Sequence, residues 1–131
     1  MKILLDTHAA YFYVDAPERL GVEGREILTG LGRGDLVISD ISLSELARLI
    51  ADGTIVTGGS ALSWIERFAD GFTVEPITPR TAHVAANYTF AHRDPADRQI
   101  LATAQVLGIP LVTKDRELTR LAPKSGVRVV W

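Results

Sequence analysis

The stretch H-R-D-P-A-D-R-Q-I-L-A-T-A-Q-V-L-G-I-P-L-V-T-K-D, residues 92–115, decides the fold. Ile100, Leu101, Ala104 and Leu107 recur at i, i+1, i+4 and i+7, which predicts a helix from Pro95 with one buried stripe. Asp94 is a good N-cap with proline at the first helical position. Asp97 falls in the first turn, where the helix dipole favours an anion. Residues 109–112 (I-P-L-V) then read as a strand, followed by Lys114, Asp115 and a short helical turn.

The same alternation runs through the rest of the chain. Residues 2–5 (K-I-L-L) suit a buried parallel strand ended by Asp6. A helix is expected over 7–14, a second over 18–29, a glycine-rich loop over 30–35 and a strand over 36–39. The loop precedes a strand instead of following one, which argues against a dinucleotide-binding turn. Next come a helix over 40–50 capped by Asp40 or Ser42, a glycine-rich break over 52–60 and a helix over 61–70. That last helix would bury Leu62, Ile65, Phe68 and Ala69, with Trp64 near them. An edge strand over 72–75, a helix over 81–90 and a final strand over 127–130 complete the list. Short apolar strands alternating with helices predict an α/β fold, a parallel sheet covered on both faces.

The 131 residues suggest one domain, residues 1–131, and 47% hydrophobic content is enough for a real core. With no cysteine, disulfides, zinc–thiolate sites and thiol catalysis are excluded. Neither a signal-peptide core nor a run of about 20 apolar residues is present, so a cytoplasmic protein is expected. Net charge is only −2, but its distribution is uneven. Residues 1–75 carry 6 Lys and Arg against 12 Asp and Glu, while residues 76–131 carry 8 against 4. The basic half has the composition of a phosphate-binding footprint and equally that of a solvated surface.

Several acids fall where parallel sheets place their sites, outside the carboxyl ends of strands. Asp6 follows the first strand directly, and Asp115 follows 109–112 by three residues. Glu45, flanked by Ile41 and Leu49 at i−4 and i+4, lies on a partly apolar helix face, a costly place for an unpaired charge. Each acid also has a structural reading: Asp6 and Asp115 as caps, Asp97 as a first-turn acid, Glu45 as a solvated helix residue. If all four converge, they repel and need protonation or a bound cation, for which Mg²⁺ or Mn²⁺ has the right preference for oxygen.

L-L-D-T-H at 4–8, I-S-L-S-E-L-A at 41–47, H-R-D-P-A-D-R-Q-I-L-A-T-A at 92–104 and L-V-T-K-D at 111–115 together resemble a PIN domain. More narrowly, the chain resembles the VapC-type toxins of bacterial toxin–antitoxin pairs, over essentially its whole length. The resemblance implies a three-layer α/β/α sandwich around a mainly parallel sheet. It implies an acidic quartet of Asp6, Glu45, Asp97 and Asp115 as catalytic and metal-binding residues, with Asp94 as a further acid and Thr113 orienting a ligand. Ala96 stands where an aromatic such as Phe is common in the family, a difference that bears on packing or substrate contacts and not on the metal site.

The activity implied is that of a Mg²⁺- or Mn²⁺-dependent endoribonuclease acting through metal-activated water. Arg93, Arg98, Lys114 and Arg116 are candidates for contacts to RNA phosphates; His8 and His92 read as structural or substrate-contacting, and His83 as an ordinary helix residue. The expected partners are RNA, a cognate antitoxin and a second copy of the chain, with no membrane. Tyr11, Phe12 and Tyr13, with Trp64 and Phe68, are candidates to line the protein–protein contact. Two alternatives remain open on the residues alone: a metal-dependent phosphohydrolase or phosphotransfer domain of another α/β family, and a non-catalytic module that keeps the PIN fold. The first would need paired acids at strand one where this chain has D-T-H, and the second would be favoured by loss of a quartet acid.

Overall fold

The computed structural model describes residues 1–89 and 94–131. Five short strands form one sheet in the order β3-β2-β1-β4-β5: β1 (Ile3–Leu5), β2 (Leu36–Ser39), β3 (Thr73–Glu75), β4 (Leu111–Val112) and β5 (Val129–Val130). All four pairings are parallel, with Leu4 set between Val37 and Leu111 in register. Side chains alternate across the sheet. Ile3, Leu5, Leu36, Ile38, Val112 and Val130 point into one core, and Leu4, Val37 and Leu111 into the other.

Helices cover both faces and make the expected α/β/α sandwich. The first core receives Ala9, Ala10 and Phe12 of α1 (Thr7–Asp15), Leu28 of α2 (Val22–Thr29), Leu46 of α3 (Ile41–Ala51) and Phe68 of α4 (Ala61–Asp70). The second receives Ile100, Leu101 and Ala104 of α6 (Pro95–Leu107) and Leu118 of α7 (Arg116–Leu121), while α5 (Pro79–Ala86) packs on α6. No helix among the described residues is long and apolar enough to cross a membrane.

Several boundaries differ from the sequence reading, for identifiable reasons. The helix expected over 18–29 is two pieces, a 3₁₀ turn at Pro17–Arg19 and then α2, separated by Leu20 and Gly21 in extended backbone. Gly21 is the constraint: a Cβ there would lie 2.3 Å from the main-chain carbon of Trp131. Gly21→Ala therefore forces the two segments apart, and its Tm should fall by an amount equivalent to about 1–3 kcal/mol. Asp40 takes the N-cap position of α3 but makes no side-chain capping bond; its carboxylate instead accepts from the Ile77 amide at 3.2 Å. The helix expected over 81–90 starts two residues earlier and ends at Ala86, with Asn87 as its C-cap.

Two apolar residues assigned to buried stripes are at the surface. Leu107 is 38% exposed. It belongs to the last turn of α6, which Gly108 ends in the left-handed region (φ 66°). Leu62 is 66% exposed because α4 turns Trp64 and Phe68 inward, with their rings stacked at 5.3 Å. That pair continues into Tyr11, 6.2 Å from Trp64, and Phe72, 5.1 Å from Phe68. The aromatic set named as candidates for the protein–protein contact is largely packed on itself between α1 and α4, with Phe12 buried and Tyr11, Tyr13 and Trp64 half-buried.

Candidate active site

The strand order reverses at β1: β2 and β3 lie on one side, β4 and β5 on the other. The carboxyl ends of β1 and β4 flank that switch point, where open parallel sheets leave a crevice. Asp6 is the residue after β1, and Thr113 to Asp115 follow β4. Because α6 runs back to feed β4, its N-terminus, with Asp94 and Asp97, returns to the same end of the sheet. A cleft of about 810 Å³ opens there, and Asp6, Glu45, Asp94, Asp97 and Asp115 all line it.

Capping and site membership coincide in these acids. Asp6 is 6% exposed, and its Oδ1 accepts the Ala9 amide at 2.8 Å as the N-cap of α1. Its Oδ2 accepts from the Thr113 hydroxyl. Thr113 Oγ1 in turn accepts the Asp115 amide at 3.1 Å, so one buried hydroxyl, itself 107 residues from Asp6 in the chain, ties the first acid to the last. Asp115 caps α7 through the Leu118 amide at 2.9 Å. Asp94 caps α6 through the Ala96 amide at 2.9 Å. On α3, Glu45 Oε1 accepts from the Thr7 hydroxyl, and Ser42 Oγ stands 2.9 Å from Thr7 Oγ1. With Thr7's only proton committed to Glu45, Ser42 is the donor in that contact.

The electrostatics record the crowding. The Asp97 carboxyl is pushed up to about 7, first by burial and then by Asp94, Asp115, Glu45 and Asp6 in that order. Burial also raises Asp6, against the opposing hydrogen bonds from Thr113 and Ala9 and the nearby His8, with Asp115 adding to the rise. As arranged, no three acidic or imidazole groups among the described residues stand close enough to hold a metal ion. Their chemistry nonetheless suits a hard divalent cation: the donors are carboxylate oxygens, they share one cleft, and the charges of four neighbouring acids each push the Asp97 carboxyl upward.

Of the cations expected near phosphates, Lys114 and Arg116 line the cleft. Arg98 turns away from it: its Nε donates to the Ala85 carbonyl at 3.1 Å and its Nη2 to that of Tyr88 at 3.2 Å, fastening α5 to α6. His92 and Arg93 lie outside the described residues. His8 is exposed at the cleft, with its ring 6.3 Å from Phe12. His83 stays on α5 beside Asn87, 3.3 Å away.

Three site residues escaped the sequence reading. Thr7 and Ser42 stood inside the quoted motifs, and the i, i+3 spacing of Ser42 and Glu45, which puts both on one helix face, was the available signal. Arg19 had no such signal, since it belongs to the acidic half of the chain.

Residues 3–124 match the PIN domain family. The chain is 37% identical over 117 residues to Ribonuclease VapC22 of Mycobacterium tuberculosis, covering 88% of each protein. In structure it is similar to FitAcB from Neisseria gonorrhoeae, with a TM-score of 0.70 at 24% identity over 97% of this chain and 95% of that one. DNA-bound VapBC from Salmonella typhimurium gives the same TM-score, 0.70, at 22% identity over 98% and 96% of the two chains.

Proposed function

The chain belongs to the PIN domain family, in its VapC-type branch, and from that premise we propose that it is an endoribonuclease acting as the toxin of a toxin–antitoxin pair. The observation that carries the reading is the convergence of Asp6, Glu45, Asp97 and Asp115 on one cleft at the switch point of the sheet. We assign these four carboxylates to Mg²⁺ or Mn²⁺, which when bound supplies an activated water and neutralises charge at the phosphate. Asp6 and Asp115 are held in place by Thr113, and Glu45 by Thr7. Asp94 sets the start of the helix that presents Asp97. Lys114 and Arg116 provide positive charge for the substrate strand. The proposed protein partners are a cognate antitoxin and a second copy of the chain, meeting surfaces that include the half-buried Tyr11, Tyr13 and Trp64.

The test is cleavage of single-stranded or looped RNA by the purified protein. Cutting is expected with Mg²⁺ or Mn²⁺ and should stop in excess EDTA. Cleavage that continues unchanged in EDTA would remove the metal from the account, and no cleavage under any condition would remove the ribonuclease.

A further inference from the structure

One wall of the cleft carries an arrangement that the quartet does not use. The guanidinium carbon of Arg19 sits 4.2 Å from the centroid of the Phe12 ring, and Lys114 Nζ sits 5.1 Å from the same centroid. Both cations and Phe12 line the cleft that holds the carboxylates. The ring they share is a fixed platform, 2% exposed and packed against His8, Tyr11 and Trp131 at 6.3, 6.3 and 6.4 Å. A cation over an aromatic face is attracted by the ring quadrupole, which favours the placement seen for both side chains.

Two like charges on one ring repel, and a carboxylate would be the simplest relief. Five acids line this cleft, yet among the described residues neither Arg19 nor Lys114 has a carboxylate oxygen within 4.0 Å. The pair is therefore left facing the cleft with positive charge for an anion from outside. The two residues come from distant parts of the chain, the 3₁₀ turn after α1 and the loop after β4.

We propose that Arg19 and Lys114 form a phosphate clamp that holds a phosphodiester of the RNA strand other than the one being cut. This rests on the ribonuclease reading above and adds to it a second point of attachment. A strand drawn into a cleft lined by five acids meets repulsion along its backbone, and a preset cationic pair beside them offsets it and fixes the strand's register. Each side chain is a positioning residue: it acts on where the strand lies, not on the bond that breaks.

The experiment measures the salt dependence of binding to a fluorescent single-stranded RNA in EDTA, where the strand's integrity is checked on a gel. Arg19→Met and Lys114→Met keep the aliphatic stem on Phe12 and remove the charge. Each should lower the slope of log K against log salt by about 0.7, the loss expected for one phosphate contact on a single strand, and weaken binding on the order of fivefold at low salt. Arg19→Lys should keep most of the slope. Arg33→Met, at the opposite end of β2, should leave it unchanged. In Mn²⁺ the two Met variants should raise KM and leave kcat within about twofold.

A parent protein that cuts RNA while Arg19→Met and Lys114→Met retain its slope and KM would overturn the clamp and leave the ribonuclease standing. Lower melting temperatures in the Met variants with an unchanged slope would reduce the pair to a prop for Phe12 and equally overturn it. A parent that neither binds nor cuts RNA would remove both readings together.

Discussion

Asp97→Asn should melt higher than the parent protein in EDTA at pH 8 and cut RNA at background level. The stability gain follows from the raised pKa of the side chain it removes. In the unfolded chain an aspartate titrates near 3.8, whereas in the fold Asp97 holds its proton up to about 7. Between those values the unfolded state has already lost the proton, so the parent's stability falls as pH rises through the window, and the full penalty applies above it. Asparagine has no proton to lose. Its advantage should be absent near pH 3.5, grow between pH 4 and 7, and level off above that.

Taken at face value the shift corresponds to several kcal/mol. The carboxyl is only half-buried, so solvent screening reduces this to about 1–2 kcal/mol, or a Tm rise of roughly 3–8 °C. Mn²⁺ should reverse the ranking. Binding stabilises the native state by RT ln(1 + [L]/Kd), and a variant with fewer ligands gains less of it. If Asp97 served only the helix dipole, losing its charge would instead cost about 0.3–1 kcal/mol at every pH where it is ionised. Melting curves across pH, with EDTA and with Mn²⁺, read beside an RNA cleavage assay, decide between the two. A variant that melts lower in EDTA at pH 8 and still cuts at the parent rate would make Asp97 a helix-end acid and nothing more.

The parts of the fold legible in the sequence were those specified locally. The strand at 36–39 and the helix at 61–70 were placed to the residue, because an apolar run, a serine cap and a closing glycine all act within a few positions of the residues they govern. Asp94 and Pro95 likewise announced the start of α6. Reading failed where the deciding partner was far away. Gly21 interrupts a helical stretch because of Trp131, 110 residues later. Leu62 follows the helical period yet loses its place in the core to Trp64, whose ring meets Tyr11 on another helix.

The site divides in the same way. The four acids were legible because each follows a strand or opens or lines a helix in a readable motif. Their supports, Thr7 to Glu45 and Thr113 to Asp6, span 38 and 107 residues, and no local pattern records which acid a hydroxyl will meet. Arg19 was hidden for a related reason. The charge split of the chain pointed to the C-terminal half for phosphate contacts, and only folding brings a cation from the acidic half to the same ring as Lys114.

Thr113→Val should lose cleavage on the order of 10–100-fold, the usual effect of removing a hydrogen bond that orients a ligand. Valine keeps the shape of threonine and deletes one hydroxyl that does two things: it donates to Asp6 Oδ2 and accepts the Asp115 amide. Thr113 is fully buried, so no water replaces either contact without a rearrangement, and a stability loss of about 2–4 kcal/mol is expected from two polar groups left short of partners. The pH dependence separates orientation from mere packing. Burial already raises the Asp6 pKa, and the Thr113 hydrogen bond is the largest influence holding it down. Without it the Asp6 pKa climbs further, the carboxylate form becomes scarcer at a given pH, and the acid limb of the activity profile should move to higher pH. The stability gap between the two proteins should widen as pH rises through the folded-state pKa and narrow in acid, where Asp6 is neutral in both. Thr113→Ser retains the hydroxyl and should recover both the rate and the position of the acid limb, although it loses a buried methyl group and some stability. If Thr113→Val melts lower but keeps the parent's rate and pH profile, the hydroxyl holds the fold together without setting the Asp6 carboxylate for chemistry.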